Sequence, residues 1–416
     1  MVAPLDIQAL SATGRDGDFL IAKAAYSLRS LGTRQATLAA TGDTVARADG
    51  KYVCQVRRSS DDAVKSFTAT EVTDGTLLAF VNEIQTLGTV SNSAGNDGFT
   101  LTNTSSTGFT ATTDTATGVC GWPYTAKSGD KIIVSFDAVI RSGTPQFIPR
   151  KATALSGSNL ADVVSDSARS VNSTNSYLFE FTYDSDEAGS LTFSEGDDNA
   201  DFDISNFKVL AFKGAGLVET WYDQSGNSND VEQATASRQP KIVNSGSLVT
   251  DANGHPELDF ASDFLSKTAF TQGDLEQPNN TFTVAKLNTN DDANRKLYDG
   301  TVGNKRNMLF LGTVGSGQFG LYSQIIIYTG ETATNDKHLF SGLHNGASSE
   351  LFINSVSKAS GNTGAYSMSG INIAKNHSND TNFWGGQIQE LIIYNSNQSS
   401  NRVAIENNIN NHYSIY

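Results

Sequence analysis

Cysteine is nearly absent: Cys54 and Cys120 are the whole supply in 416 residues. They stand far apart in sequence, so no disulfide framework can be read, and two reduced thiols are expected. Long apolar runs are missing too. No stretch reaches the ~20 apolar residues of a membrane-spanning helix, and the opening MVAPLDIQAL has no basic segment leading into an apolar one. Neither a membrane anchor nor an export signal is therefore expected. Positive charge is scarce: 29 Lys and Arg face 44 Asp and Glu, a formal net charge of −15. The basic residues are scattered, which argues against a phosphate-neutralising surface and so against nucleic acid as a partner. The histidines, His255, His338, His344, His377 and His412, form no pair at zinc-ligand spacing. A Gly-rich phosphate loop, a nucleophile elbow and a Cys-His couple are likewise missing.

What the chain has in quantity is turn chemistry. Apolar residues make up 38% and charged residues 18%, and Gly, Ser, Thr, Asn and Asp fill much of the rest. Many short strands joined by tight turns read this way, so an all-β fold with a few short helices is expected. The length exceeds one ordinary domain, so two domains, or one sandwich carrying a large insertion, are expected.

Local patterns place the elements. In FLIAKAAYSLRSLG, from Phe19, Leu20, Ala24, Ser27 and Leu31 share one helical stripe, with Asp18 as N-cap and Gly32 as stop, which predicts a short helix. KYVCQVRR, from Lys51, alternates as a strand, and GTLLAFVNE, from Gly75, reads as a helical turn. From residue 87 to 213 the texture becomes period-two strands, among them DKIIVSFDAVI, SYLFEFTY, GSLTFSEG and ADFDISNFKVLAF, separated by polar turns. After Gly214 the opening texture resumes, with strands expected in FTVAKLN, NMLFLGTVG, FGLYSQIIIYTG, HLFSGLHNG, ELFINSVSKAS and GGQIQELIIYNS. SSNRVAIENNINNHYSIY, from Ser399, predicts a closing helix, capped by Ser399 or Ser400, with Ile405, Ile409 and His412 on one stripe. The chain thus reads as one sandwich, residues 1–86 and 214–416, interrupted by a second at 87–213.

AAYSLRSL from Ala24, QVRRSSDDAVKSF from Gln55, TWYDQSGNSNDVEQATASRQPKIV from Thr220 and HPELDF from His255 carry a resemblance to family 54 α-L-arabinofuranosidases. WYDQSGN is its specific part. The resemblance implies a concanavalin A-like jelly-roll sandwich for the flanking halves; beyond the matched stretches it is diffuse, with the look of laminin-G-like and concanavalin A-like domains in general. The inserted segment resembles a jelly-roll carbohydrate-binding module, on the form of FDISNFKV. The closing ELIIYNSNQSSNRVAIENNINNHYSIY is similar to the ends of concanavalin A-like structural proteins of tailed bacteriophages.

A retaining glycosidase needs two carboxyl groups facing each other across the sugar. In the resembled family the nucleophile is a Glu on a strand after an apolar LG stretch. Here the matching stretch, Gly300 to Gly330, contains no Asp or Glu. The family's adjacent cysteine pair falls at Arg295 and Lys296, and its acid falls near His377 or Asp380. The resemblance therefore implies a fold without its catalyst, and no enzymatic activity is expected. Should carboxylates have relocated, Asp223, Asp259, Asp380 and Glu390 are the first suspects.

Binding residues can be named as candidates. Sugar-binding sandwiches stack a pyranose on an exposed ring beside amides and carboxylates. Trp122 with Tyr124, in CGWPY, and Trp384 with Asn379, Asp380 and Asn382, in NDTNFWGG, suit that role, as against packing. Asp223 in WYDQSGN suits an Asx-type turn closed by Gly226, with a sugar contact as its other reading. Of Trp221 and Tyr222, which alternate along a strand, one is expected in the core. SEGDDNADFD gathers Glu195, Asp197, Asp198, Asn199, Asp201 and Asp203, of which Asp197, Asp198 and Asp201 are candidate Ca2+ ligands, as against a solvated acidic turn. No other cofactor is expected. Arg57 and Arg58 could anchor an acidic sugar or pair with Asp61 and Asp62, and local pairing is expected.

The reading that results is a non-enzymatic structural protein of a tailed-bacteriophage virion, exposed as capsid decoration or tail fibre. It would be made in the host cytoplasm without a signal peptide and would form homo-oligomers. Its partners would be other virion proteins and cell-surface glycans. A relocated-carboxylate hydrolase and a bacterial surface adhesin are the alternatives.

Overall fold

The structure, a computed structural model, describes residues 22–31, 52–82, 87–126, 130–150, 169–182, 187–195, 199–289, 294–312, 317–378 and 381–416. It is an all-β antiparallel sandwich with few helices. The back sheet runs Val356–Gly361, Ser349–Ile353, Lys337–His344, Asn279–Leu287 and Gly386–Tyr394. Beyond Gly386–Tyr394 it divides, with Ala22–Ser27 along one half of that strand and Leu258–Phe260 along the other. The front sheet runs Val231–Glu232, Leu265–Lys267, Ile371–Ile373, Arg295–Asp299, Met308–Gly312, Gln318–Tyr322 and Ile326–Tyr328. Strand Gly216–Trp221 joins the two, pairing through Gly216 and Leu217 with Lys241–Asn244 and through Thr220 and Trp221 with Val231–Glu232.

Period-two patterning explains most of this. Leu309, Leu311, Phe319, Leu321, Ile371 and Ile373 point between the sheets and meet Trp221, Phe260, Trp384 and Ile393. The described residues between 91 and 213 form a separate eight-stranded sheet with its own core of Trp122, Phe136, Phe147, Phe193, Phe202 and Phe207. The two cysteines are free and buried, Cys54 in the first core and Cys120 in the second.

The helix expected around Ala24 is a strand, Ala22–Ser27, with all six residues buried. One set of side chains, Ala24 and Tyr26, enters the main core, and Ala22 and Ala25 lie under the closing helix. A strand buried on both faces carries no alternation, so its apolar run also fits a helical stripe. The short helix Thr76–Val81 is present. The closing helix, Arg402–Tyr413, begins at Asn401 rather than at Ser399 or Ser400. It buries Ile405, Ile409 and Tyr413 on Phe282, Val284, Leu339 and Ile392. The third member of the stripe is Tyr413, and His412 turns to the side of the helix. Trp221 enters the core, and Tyr222 lies outside it against Tyr52 and the Ser66 hydroxyl.

A buried polar knot closes one end of the sandwich. His344, fully buried, shares a 2.6 Å hydrogen bond between Nδ1 and Ser323 Oγ, and its Nε2 faces Tyr298 Oη at 3.4 Å. Burial pushes its pKa down to about 3, whereas an unfolded histidine titrates near ~6.5. Between those values the unfolded chain binds a proton that the native chain refuses, so stability should fall as pH drops from the upper value towards the lower. Urea unfolding across that range should show the slope, and His344→Gln should remove its share of it.

Candidate functional site

The outer face of the front sheet gathers charge and aromatic rings in two rows. The first row is Ser266, Asn372 and Asp299. Asp299 is fully buried and bound bidentately by Arg306, Nε to Oδ1 at 2.9 Å and Nη2 to Oδ2 at 2.6 Å. The His377 N–H donates to the same carboxylate at 3.0 Å. Arg306 also lies over the Tyr322 ring, 5.4 Å from its centre. The second row is Lys296, Phe310, Gly320 and Tyr328. The Lys296 ammonium stands 4.3 Å above the Phe310 ring.

The glycines of this face make room for the rings. A Cβ on Gly320 would come within 2.9 Å of Phe310, and one on Gly312 within 2.7 Å of Tyr328. Tyr322 and Tyr328 keep part of their surface open to solvent, and Phe310 beneath Lys296 does not. Burial pulls the Lys296 pKa down to about 8, with Asp299 opposing and Arg306 adding to the fall. His377 is lowered by burial and by the Arg306 charge, against the pull of Asp299. Among the described residues, Lys296 and Arg306 are two cations facing one carboxylate, Asp299, on a chain of net charge −15.

The specific part of the resemblance has a structural role. Asp223 is 3% exposed and accepts the N–H groups of Ala25, Ser225 and Asn229 at 2.8, 2.9 and 3.0 Å, with the Ser225 hydroxyl at 2.8 Å. Burial raises its pKa and those four donors oppose the rise. Gly226, at φ +87°, closes the turn. Gln224 donates to the carbonyls of Ser27 and Arg29, and Asn229 to that of Lys23. Asp223 therefore fastens a strand and offers no free oxygen to a sugar.

The expected stacking platforms are corrected. Trp122 is fully buried against Phe207, with ring centres 4.2 Å apart, and Tyr124 is 5% exposed. Trp384 is fully buried and donates Nε1–H to the Lys286 carbonyl. Large rings in short strands went to the cores because each sheet needed their volume. Asn382 stands beside the front face, its carbonyl accepting from the Lys296 N–H at 2.9 Å. Asn379, Asp380, Asp197 and Asp198 lie outside the described residues. Asp201, the remaining candidate calcium ligand, pairs with Arg141, as does Asp203. Among the described residues no group of three His, Cys, Asp or Glu is placed to hold a metal ion. Arg58 pairs with Asp61 as expected, but Arg57 crosses to Glu219.

Among the described residues, the suspect carboxylates Asp223, Asp259 and Glu390 are each held by different partners. Glu390, fully buried, is bound bidentately by Arg29 and also by Ser27 and Tyr413. Asp259 accepts from Gln387 on the outer face of the back sheet. A residue beside it escaped the sequence reading. Glu257, 7% exposed, has its pKa pushed up to about 7 by burial and then by the Asp251 charge. Asp251 is held well below the usual carboxylate range; burial would raise it, but Lys337, the His255 N–H and Gln389 outweigh that. Two carboxyls driven apart in this way are suited to acid and base roles. The only hint in the sequence was the alternation of Glu257 and Asp259 in HPELDF.

No protein-family model matches the chain, and no curated protein matches it. Solved structures do align. Trypanosoma rangeli sialidase in complex with sialic acid aligns at 12% identity and a TM-score of 0.33, over 74% of this chain and 60% of that one. The same enzyme with the inhibitor DANA aligns at 10% identity and a TM-score of 0.32, over 74% and 62%. A truncated AlyQ with CBM32 and alginate lyase domains aligns at 9% identity and a TM-score of 0.17, over 69% and 90%. The chain thus spans about 60% of the sialidase length. At these identities and TM-scores the alignments assign this chain neither a family nor a substrate. The sialidases are nevertheless enzymes, and the expectation that this chain has no catalytic activity does not stand against them.

If Asp223 is a fastening group, Asp223→Asn should cost about 1–3 kcal/mol in denaturant unfolding by leaving a buried N–H without its acceptor. Binding of saccharides by the folded fraction should not change.

Proposed function

We propose that this chain is a glycan-binding protein displayed on a tailed-bacteriophage particle, on the capsid or a tail fibre, and that it takes acidic saccharides on the front face. The observation that carries the binding is the pairing of cations with rings on one face: Arg306 over the open ring of Tyr322, and Lys296 over Phe310, which packs against the open ring of Tyr328. Ring faces suit the apolar side of a sugar, and the cations suit its carboxylate or sulfate. Arg306 spends Nε and Nη2 on Asp299, and its Nη1 has no hydrogen-bond partner among the described residues. The particle, with its other proteins and further copies of this chain as partners, is supported by the likeness of the closing segment to phage structural proteins.

A panel of neutral and acidic glycans tests the binding. Acidic members should bind in a salt-sensitive manner, and Arg306→Ala or Lys296→Ala should weaken them by about 1.5–3 kcal/mol, roughly 10- to 150-fold. Equal affinity for neutral glycans, or none lost in either variant, would refute the assignment. Mass spectrometry of purified particles tests the location.

One observation favours a second reading, a glycoside hydrolase. Glu257, with its pKa near 7 beside Asp251 and Asp259, is poised as a general acid at neutral pH. If so, a glycosidase screen should find an activity that Glu257→Gln abolishes while glycan affinity on the front face persists. Activity untouched by that change removes Glu257 from the reaction.

A further inference from the structure

His255 and His412 stand 157 residues apart in sequence, yet their rings lie 5.0 Å apart between centres at an interplanar angle of 45°. They form part of the wall of a cavity of about 440 Å3, between the end of the closing helix, Arg29, Thr70 and Pro256. This cavity is separate from the front face. His255 Nδ1 lies 3.2 Å from Asp251 Oδ2, and the same carboxylate takes the His255 N–H at 2.9 Å through Oδ1. Nδ1 is thereby assigned as the donor, which leaves the Nε2 lone pair without a hydrogen bond. His412 makes no hydrogen bond from either ring nitrogen to the described residues. Tyr413, 4.5 Å from the His412 ring and 5.6 Å from that of His255, packs edge-on against both. The nearby Arg29 charge is neutralised by its bidentate pair with Glu390.

We infer that His255 and His412 form a two-imidazole site for a late first-row divalent cation, Zn2+, Cu2+ or Ni2+, with water in the cavity completing the coordination shell. With a metal–nitrogen bond of about 2.0–2.1 Å, a ring centre lies roughly 3.2 Å from the ion, and two rings at a tetrahedral angle have centres roughly 5.2 Å apart. The observed spacing meets that requirement. Asp251 supplies the outer carboxylate that fixes ring and tautomer in carboxylate–histidine–metal arrangements, and Lys337 and Gln389 hold it in place. Imidazole ligands favour these cations over calcium or magnesium. The bound ion would tie the closing helix to the turn that precedes Leu258–Phe260.

Calorimetric titration of the full chain with Zn2+ tests the site. One equivalent should bind, His255→Gln and His412→Gln should each abolish it, and Asp251→Asn should weaken it about 10- to 100-fold. Circular dichroism establishes that each variant is folded. Because a variant could fail to fold, the Cu2+-loaded wild-type protein provides an independent reading, in which electron paramagnetic resonance should detect two imidazole nitrogens. No binding to the wild type, an undiminished equivalent in the folded double variant, or a copper signal with fewer than two imidazole nitrogens would overturn the assignment.

Discussion

The sandwich depends on fastening a strand that has no solvent face. Ala22–Ser27 is buried on both sides, and beyond its pairing with Gly386–Tyr394 it is held by side chains from one distant turn. Asp223, Gln224, Asn227 and Asn229 reach its backbone and that of Arg29 and Leu31. A buried carboxylate is costly unless donors surround it, and a buried backbone amide is costly unless it finds an acceptor, so each satisfies the other. Arg29 and Glu390 extend the fastening to the closing helix through Tyr413.

With that seam closed, the two outer faces of the sandwich differ in use. The closing helix covers part of the back sheet with Ile405, Ile409 and Tyr413. The uncovered remainder carries Glu257, Asp259 and Lys286, where burial, and then like charge, displaces the Glu257 carboxyl upward from its ordinary range. The front sheet presents cations over rings, with glycines at the positions where a side chain would lift those rings away. The sandwich therefore supplies two chemically distinct surfaces, and the third feature, the imidazole pair, arises at the end of the closing helix.

Much of the architecture was legible because alternation and turn residues report directly on which face of a strand is dry. Lys131–Ser142 and Met308–Gly312 are strands where that alternation or the apolar run predicts them, and the closing helix lies where its stripe predicts it. Ala22–Ser27 misled because double burial erases alternation. The tryptophans misled because turn-like sequence around Trp122 and Trp384 suggests exposure, whereas the demand of the core for large rings decides their place. Asp299 and Arg306 passed unnoticed because neither sits in a motif; their meaning comes from facing each other across a strand end.

By itself the sequence determined the class of fold, the positions of most strands, and the lack of any carboxylate between Gly300 and Gly330, since each is a property of local order in the chain. Which groups meet was decided only in three dimensions. His255 and His412, Asp223 and Ala25, and Arg29 and Glu390 are brought together across 157, 198 and 361 positions. No spacing rule spans such gaps, because the partners are selected by sheet register and by the need of each buried polar group for a counterpart.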